Sequence, residues 1–353
     1  MSVIYSPLKA FGFPEHAANR NGRLLAPVHV RIKPVNACNQ RCWYCAYRED
    51  ALSLGSEMSV RDRIPREKMR EITDDLILMG VRAVTFSGGG EPLIYPFLPE
   101  TIRRLGASGI QVATLTNGWR LQGEVADALA TYGTWVRISI DAWDGNSYAQ
   151  SRGVPIDAFY RVLTNVERFT RRSDRCSVGF SFIVTANNAP YLAEFCAIAK
   201  AVGARHVKIS ACIVGNEAVV NEAYHAPIAE KVEEQIADAR LLEDETFEIV
   251  DHYHALAQTF QQPNCACPML EFLTVIGADC NVYTCQDKAY THSGLLGSIR
   301  ERRFRELWFS SEMAQRVRSF DPRVHCTHHC TAHAKNMLIT EYRALDQDHT
   351  AFV

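Results

Sequence analysis

Short apolar, β-branched segments alternate with longer segments of helical periodicity from residue 28 to residue 225. Each of the short segments is continuously apolar, as strands buried on both faces of a parallel sheet are. The predicted strands are 28–33, 82–87, 111–116, 135–141, 177–184 and 206–210, and the predicted helices between them are 65–79, 97–105, 123–132, 157–170 and 190–202. Six strand-then-helix units predict an α/β fold, a partial (β/α)6 barrel with right-handed crossovers.

The rest of the chain is divided around this barrel. The predicted regions are an N-terminal extension (1–27), the barrel (28–225), a helical bridge (226–260), a cysteine-rich module (261–342) and a polar tail (343–353). Within the module, residues 272–276 and 281–284 are predicted to form a β-hairpin, and 304–317 a helix.

Charge and apolar content exclude several classes of partner. The net charge of −2 gives no reason to expect binding to nucleic acid or to an anionic membrane. No run of about eighteen apolar residues and no signal-peptide pattern is present, so we expect a cytoplasmic protein. In that reducing compartment the 12 cysteines are expected to bind metal or to act in catalysis, and not to form disulfides.

Three of those cysteines, Cys38, Cys42 and Cys45, follow the first predicted strand within eight residues. A short loop can place three thiolates around one face of a 4Fe–4S cluster, which leaves one iron open to another ligand. The alternatives are a structural zinc site, which needs a fourth local ligand, and a few buried thiols. The loop is expected at the carboxyl end of the parallel strands, where active sites of barrels lie.

The spacing CxxxCxxC after a first strand resembles the radical S-adenosylmethionine (SAM) superfamily. The resemblance implies a SAM-binding 4Fe–4S cluster on the three cysteines, with SAM bound to the open iron. Further motifs of the family follow in order at strand ends, among them a glycine run before Glu-Pro, a Thr-Asn-Gly turn and polar residues on the fourth strand. The SAM contacts that the resemblance implies are Tyr44, Gly88, Gly89, Gly90, Glu91, Asn117, Ser139, Asp141 and Arg152. Taken alone, the glycine run could be an ordinary turn, and Ser139 with Asp141 a capped strand end.

Six more cysteines lie between residues 265 and 330. The predicted hairpin can bring Cys267 near Cys285, and the helix after it returns the chain to Cys326 and Cys330. Four thiolates fit a second, fully ligated 4Fe–4S cluster, with a zinc site as the alternative. The region resembles the SPASM/Twitch extension of radical SAM enzymes; since no cysteine follows Cys330, we expect the shorter Twitch form with one auxiliary cluster. The two other cysteines, Cys265 and Cys280, are bystanders or replace one of the four.

Cys212 follows the sixth strand and is expected at the barrel mouth, where it either packs in the core or donates a hydrogen atom to a substrate radical. Lys208, on the same strand, is expected to contact substrate or SAM, or to be solvated.

The resemblance implies reductive cleavage of SAM to a 5′-deoxyadenosyl radical, which takes a hydrogen atom from the substrate. We expect oxidation of a small, sugar-like metabolite, with electrons from a reductase such as flavodoxin or ferredoxin. The alternatives are epimerisation with Cys212 as donor, maturation of a ribosomal peptide, and a non-catalytic iron–sulfur carrier. About 27 residues precede the first strand, which we expect to be too few for a leader-binding domain.

Overall fold

The computed structural model describes residues 3–20, 22–49, 52, 54–346 and 348. Its strands are β1 His29–Ile32, β2 Ala83–Phe86, β3 Gln111–Thr116, β4 Gly133–Ser139, β5 Ser177–Val184, β6 His206–Ala211, β7 Glu248–Asp251, β8 Leu273–Ile276, β9 Asn281–Tyr283 and β10 Leu295–Ser298. They form one 10-stranded sheet in the order β10-β9-β8-β1-β2-β3-β4-β5-β6-β7. All pairings from β8 to β7 are parallel, and β9 and β10 are antiparallel to their neighbours.

Helices connect the strands and cover the outer face of the sheet. The α-helices are α1 Pro14–Ala17, α2 Arg66–Met79, α3 Leu98–Ala107, α4 Gly123–Tyr132, α5 Gly145–Arg152, α6 Asp157–Thr170, α7 Leu192–Ala201, α8 Ala218–His225, α9 Ala229–Arg240, α10 Phe304–Trp308, α11 Ser311–Ser319, α12 Pro322–His325 and α13 His333–Ala344. Short 3-10 helices span Val3–Tyr5, Pro7–Gly12, Pro92–Ile94, Ala189–Tyr191, Ala226–Ile228, Ala257–Phe260, Pro268–Glu271, Gln286–Lys288 and His292–Gly294. Within the described residues no helix is both long and apolar enough to cross a bilayer.

The sheet curls into a partial barrel. Arg31 on β1 and Lys208 on β6 are five strands apart, a separation of about 24 Å in a flat sheet. The positive charge of Arg31 nevertheless lowers the pKa of Lys208, so curvature of the sheet brings the two side chains closer than that. Their neighbours in the strands, such as Val30 and Val207, are 0% exposed and belong to the main hydrophobic core under the helices. Side chains that alternate with these core residues therefore face the concave side, which we call the lumen.

The predicted α/β partial barrel with a C-terminal module is confirmed, with three differences in detail. Residues Glu248–Asp251, inside the predicted helical bridge, form β7, a strand too short and too polar at its ends to show in the sequence pattern. Strand β8 of the predicted hairpin pairs with β1, so that the module extends the barrel sheet. The predicted helix 304–317 is two helices, because the Ser310 side chain caps α11 by accepting a hydrogen bond from the Met313 N–H group (3.1 Å).

The N-terminal extension closes the end of the barrel where the strands begin. Its helices pack on α13 through a small cluster of apolar side chains that includes Ala17 and Ile339. Arg343 of α13 pairs with Glu271 at 2.9 Å and donates a hydrogen bond to the Ala17 carbonyl at 3.0 Å. The N-terminal extension and α13 are thereby joined.

A buried carboxylate fastens the C-terminal module to the outer helices. Asp75 of α2 is 0% exposed and accepts hydrogen bonds from the Arg303 guanidinium (2.8 Å) and from the Arg305 N–H group (3.2 Å). Its neighbour Asp74 instead pairs with Arg104 at the surface, where both side chains are partly exposed. The two adjacent aspartates therefore differ in burial, since Asp75 is enclosed and Asp74 is partly exposed.

We predict that Asp75→Ala lowers the free energy of unfolding by about 2 kcal/mol, because it strands a partly buried Arg303 and an N–H group without an acceptor. Asp74→Ala is the matched control and should cost less than about 1 kcal/mol, as exposed pairs do. Anaerobic urea unfolding measures both. Equal losses in the two variants would show that Asp75 does not fasten the module.

Candidate active site

The cysteine loop leaves the carboxyl end of β1, as expected. Cys38, Cys42 and Cys45 are all partly buried. Burial raises the pKa of Cys38 to about 11, and negative charge on Cys42 raises it further. The pKa of Cys45 is likewise raised by burial and then by Cys42. The three sulfur atoms therefore form one group, in which bound iron would relieve the mutual repulsion of the thiolates.

The end of α5 holds this loop in place. The N–H group of Arg41 donates to the Arg152 carbonyl (2.8 Å), and the buried Gln40 side chain donates to the Tyr148 hydroxyl (2.8 Å). Gln40 also accepts a hydrogen bond from the Arg152 guanidinium (3.0 Å). Helix α5 was not predicted, because it has no apolar stripe; it is capped by Asp144 and stabilised by these tertiary contacts.

A buried ion pair lies next to the cysteines. Arg152 pairs with Asp141, and the same guanidinium donates to the Cys42 sulfur at 3.5 Å. Asp141 also accepts hydrogen bonds from the Tyr44 hydroxyl (2.6 Å) and from the Ile183 N–H group (2.6 Å). Burial raises the pKa of Asp141, and the charge of Arg152 opposes that rise. Four predicted residues from three separate motifs, Cys42 and Tyr44, Asp141, and Arg152, are thus brought into one network.

Asp141 adopts a backbone conformation that is unusual for a residue other than glycine, with φ at +55°. Both of its carboxylate oxygens are occupied by protein donors, so it positions Tyr44 and Arg152 and does not lie open to a ligand. Ser139, two residues earlier, is partly exposed at the end of β4 and remains the better placed of the two for direct contact.

Two of the three glycines after β2, Gly89 and Gly90, pack against the start of the cysteine loop. A Cβ atom on Gly89 would lie 2.1 Å from the Asn36 Oδ1 atom, and one on Gly90 would lie 1.8 Å from the Ala37 carbonyl oxygen. A Cβ atom on Gly88 would likewise lie 1.6 Å from the Gly90 carbonyl oxygen. We expected the glycines to allow a ligand to come close to the backbone. In the structure it is the cysteine loop that comes close to them.

Glu91 connects this segment to the third strand. Its buried carboxylate accepts hydrogen bonds from the Leu93 N–H group (3.0 Å), the Asn117 N–H group (2.8 Å) and the Thr116 hydroxyl. The Asn117 side chain in turn donates to Asn39 in the cysteine loop at 2.8 Å. Glu91 and Asn117 are therefore positioning residues, whose polar groups are directed at the protein and not at an open site.

The four predicted auxiliary ligands come together in the C-terminal module. Burial raises the pKa of Cys285 to about 12, and negative charge on Cys330 raises it further. Negative charge on Cys285 likewise raises the pKa of Cys326, and negative charge on each of the other three cysteines raises the pKa of Cys267. The sulfur atoms of Cys267, Cys285, Cys326 and Cys330 therefore form a second group.

The two remaining cysteines of the module lie outside that group. Cys265 is exposed. Cys280 is 6% exposed in the turn between β8 and β9, and the charges acting on it come from residues such as Asp279 and Lys68. Neither is placed to replace one of the four.

Both sulfur groups fit clusters of iron and sulfide in the chemistry of their donors. Three and four thiolates are the ligand sets of 4Fe–4S clusters with and without an open iron. In the described part of the chain, no three Cys, His, Asp or Glu side chains are close enough to hold a single metal ion.

Lys33 and Tyr47 connect the two sulfur groups. Lys33 is 0% exposed and donates to the Tyr47 hydroxyl at 2.5 Å, and that hydroxyl donates to the Gln286 carbonyl at 3.4 Å. Burial lowers the pKa of Lys33 to about 7, while the negative charges of both Cys45 and Cys285 oppose that change. The sequence signal for Lys33 was a single cation at the end of an apolar strand.

Cys212 lies just beyond β6 and is 2% exposed. Burial raises its pKa to about 12, and negative charges on Asp141 and Glu49 raise it further. The other isolated thiols, Cys176 and Cys196, belong to the main hydrophobic core, whereas Cys212 does not. The structure thus places a protonated thiol on the side of the barrel where the Asp141 network lies.

We predict that Gly90→Ala lowers the iron content of the anaerobically reconstituted protein by about half, because the added methyl group collides with the Ala37 backbone and displaces Cys38. Gly12→Ala is the matched control, since a Cβ atom there meets nothing within 4 Å. Iron and labile sulfide analysis gives the result. Full iron content in Gly90→Ala would show that the close packing is not required for the first cluster.

Comparison with known proteins identifies two families along the chain. Residues 32–199 match the model of the radical SAM superfamily, and residues 265–331 match SPASM, an iron-sulfur cluster-binding domain. Together the two matches cover about two thirds of the chain.

Three curated relatives show what the chain is similar to. The GTP 3',8-cyclase of Chlorobaculum tepidum is 35% identical over 122 residues, which is 34% of this chain and 34% of the relative. The mycofactocin maturase MftC of Mycobacterium tuberculosis is 31% identical over 181 residues (51% and 43%). The dTDP-4-amino-4,6-dideoxy-D-glucose ammonia-lyase of Streptomyces venezuelae is 27% identical over 182 residues (48% and 35%). Each match spans less than half of the relative's length.

Two solved structures share the fold. SuiB of Streptococcus suis, bound to its precursor peptide SuiA, superposes with a TM-score of 0.62 at 15% identity over 87% of this chain and 70% of SuiB. The anSMEcpe enzyme with bound AdoMet superposes with a TM-score of 0.61 at 16% identity over 90% of this chain and 96% of that one. With both domains matched and the fold shared, this chain is a radical SAM enzyme with a C-terminal SPASM domain, and its cofactors are 4Fe–4S clusters and SAM.

Proposed function

We propose that this radical SAM enzyme oxidises a small polar, sugar-like metabolite. The observation that carries the proposal is the contact between the two sulfur groups through Tyr47, which follows Cys45 by two residues and donates a hydrogen bond to Gln286, the residue after Cys285. When bound, SAM and the two clusters supply one-electron chemistry: a 5′-deoxyadenosyl radical that takes a hydrogen atom, and an acceptor for the electron left on the substrate.

The residues of the chain provide binding and orientation for that chemistry. In the proposal, Cys38, Cys42 and Cys45 hold the first cluster, and the Arg152 guanidinium stabilises the negative charge at the Cys42 sulfur, 3.5 Å away. Tyr44 is fixed by its hydrogen bond to Asp141, so that its ring is held at the edge of the SAM site.

The second group, Cys267, Cys285, Cys326 and Cys330, is proposed to hold a single auxiliary cluster, as in the shorter Twitch form. Four thiolates complete the coordination of such a cluster, so it has no open iron for a substrate. Full ligation favours an electron acceptor over a substrate-binding metal site. The first cluster is expected to receive its electron from a reductase such as flavodoxin or ferredoxin.

A small substrate agrees with two of the relatives. By their names, the GTP cyclase and the dTDP-sugar ammonia-lyase act on a nucleotide and on a nucleotide sugar. The SuiB structure holds a precursor peptide instead, and at 15% identity it supports only the shared fold. The polar lumen of the barrel, with Lys208 and Ser139 on its wall, suits a polar metabolite.

Epimerisation is the second candidate, because the Cys212 thiol has the properties of a hydrogen-atom donor. The thiol is buried and protonated, and its strand ends beside the Asp141 network. A donor on the opposite face of a substrate radical would return hydrogen with inversion. Oxidation and epimerisation therefore differ in whether Cys212 or the auxiliary group is required.

We predict about eight irons per chain after anaerobic reconstitution, from two four-iron clusters. Changing Cys38, Cys42 and Cys45 to Ala should leave about four and abolish release of 5′-deoxyadenosine, since no iron remains to bind SAM. Iron analysis and chromatography of the reaction mixture measure the two quantities. A wild-type protein that binds only zinc, or a triple variant that still cleaves SAM, would contradict the assignment.

We further predict that Cys212→Ala keeps most of its turnover, while Cys330→Ala stops product formation but still releases 5′-deoxyadenosine. The reason is that an electron acceptor, and not a hydrogen donor, completes an oxidation. Cys196→Ala is the control for loss of a buried thiol, because Cys196 lies on the buried face of α7 and belongs to the main hydrophobic core. Reactions of candidate sugars in deuterated water are followed by mass spectrometry. Loss of turnover in Cys212→Ala, with solvent deuterium at an inverted carbon, would establish the epimerase instead.

A further inference from the structure

Three cations project into the lumen from three different strands. Arg31 on β1, Arg137 on β4 and Lys208 on β6 alternate with side chains of the main core. Since successive side chains of a strand point to opposite faces, all three face the concave side. Arg31 and Lys208 lie outside the cysteine, glycine and Asp141 motifs, and Arg137 lies in the same segment of β4 as Ser139 and Asp141 but is not among the predicted SAM contacts. We call Arg31, Arg137 and Lys208 the lumen cations.

The lumen cations are close enough to repel one another. Burial, together with the charges of Arg137 and Arg31, lowers the pKa of Lys208 to about 7. The pKa of Arg31 is lowered by burial and then by Arg137. The Nε atoms of both arginines are buried and have no hydrogen-bond partner. Among the residues that the structure describes, none of the three lumen cations forms an ion pair with a carboxylate.

Neither the nearest carboxylate nor the thiolates neutralise this group. The charge of Asp287 raises the pKa values of both Arg31 and Lys208. Its Oδ2 atom, however, already accepts hydrogen bonds from the Thr331 hydroxyl (2.8 Å) and N–H group (3.3 Å). The charge of Cys285 raises the pKa of Arg31. The charges that affect the pKa of Lys208 are instead those of Arg137, Arg31, Asp287 and Lys335. A cluster on Cys285 therefore offsets Arg31 and leaves Arg137 and Lys208 with excess positive charge.

The N-terminal segment forms a floor under the lumen cations. The Tyr5 hydroxyl is 2.8 Å from the His206 Nε2 atom and accepts a hydrogen bond from the Arg137 guanidinium at 3.1 Å. The Lys208 ammonium lies 6.0 Å from the centre of the same ring. Since Tyr5 covers the cations from this end, a ligand would reach them from the mouth, where the cysteine loop lies.

We propose that the lumen cations bind a doubly charged tetrahedral oxyanion, such as a phosphate or sulfate group, and that this group belongs to the substrate. The inference rests on the proposed function in one respect: the part of the substrate that reacts then extends from the anion toward the cysteine loop. Two arginines and a lysine supply the forked and point-charge donors that recognise such groups. A neutral sugar would leave the repulsion between the cations unrelieved.

Binding at this place is coupled to protonation of Lys208. An anion raises the pKa of a lysine that burial has lowered to about 7, so binding near neutral pH takes up a proton. Affinity for sulfate, which stays a dianion, should therefore fall as the pH rises through 7. The other groups that face Lys208 include the Arg31 and Arg137 guanidinium groups and the Asp287 carboxylate. His206 and His252 also face it, and burial lowers their pKa values to about 4, so neither takes up a proton near pH 7. Lys335 on α13 is a cation whose pKa is also lowered by burial.

The test is calorimetric titration of sodium sulfate into the anaerobically reconstituted holoenzyme at constant ionic strength. Wild-type protein should bind sulfate, and Arg137→Gln and Lys208→Gln should each weaken binding at least about tenfold, the loss of one charge-assisted hydrogen bond. Arg168→Gln, on the exposed face of α6, is the matched control and should bind like the wild type. Acetate, a single charge, should bind more weakly than sulfate.

Proton uptake provides a measurement that a purely structural role would not change. Titrations in two buffers of different ionisation enthalpy should show uptake in the wild type and none in Lys208→Gln. Lys208→Arg should retain sulfate binding but lose the uptake, because its charge does not titrate. Iron content and circular dichroism are recorded for each variant, and Lys208→Arg keeps the test decisive if a glutamine variant does not fold.

The inference is overturned if the wild type does not bind sulfate, if acetate binds as tightly, or if folded Arg137→Gln and Lys208→Gln both bind like the wild type. Release of 5′-deoxyadenosine with a chemical reductant is measured in the same preparations. Release without sulfate binding rejects the anion site alone and leaves the proposed function standing. Sulfate binding without release rejects the proposed function and retains the anion site.

Discussion

The buried ion pair between Asp141 and Arg152 determines the geometry of the whole site. Removing two charges from water is expensive, and such a pair is tolerated only when its remaining hydrogen-bonding capacity is satisfied. Here Tyr44, Ile183 and Gln40 provide that satisfaction. Tyr44 and Gln40 belong to the cysteine loop, and Ile183 belongs to β5. The pair can therefore form only when those two elements are already in place. The site therefore assembles as a unit.

Charge is also organised along the axis of the barrel. The cysteine sulfur groups lie at the mouth and in the C-terminal module, and the cations lie between and below them. Negative charge on either sulfur group raises the pKa of Lys33. The outer face of the same strands is apolar and contributes the stability of the fold through residues such as Val30 and Ile209. Since stability comes from the outer face, the lumen is free to contain charged groups that a packed core would exclude.

Prediction from sequence worked where burial on both faces leaves a continuous apolar run. The limits of β3 and β5, and of α4 and α6, agree with the predicted ones residue for residue. It failed for α5, which is polar and depends on contacts with the cysteine loop, and for β7, which is four residues long. A local pattern contains no information on such tertiary stabilisation.

The same limit applies to the roles of single residues. Motifs and spacing identify Glu91 and the four cysteines of the second group as site residues. The atoms that these residues contact depend on long-range packing. The carboxylate of Glu91 is directed at Thr116 and Asn117, a contact across 25 and 26 residues of sequence. Likewise, Arg137 reads in the sequence as one polar residue in an apolar strand, and only the curvature of the sheet reveals that it faces Lys208.

Two sets of residues thus have separate tasks in this barrel. The motif residues around Asp141 lie at the carboxyl ends of the strands, within the region 32–199 that matches the radical SAM family. Arg31, Lys208 and Cys212 lie outside those motifs, and together with Arg137 they are the residues proposed to contact the substrate. Since fold and shared motifs do not decide which substrate is used, the chemical character of the substrate must be sought in these lumen residues. Their excess of positive charge is the property that distinguishes this lumen from one built for a neutral ligand.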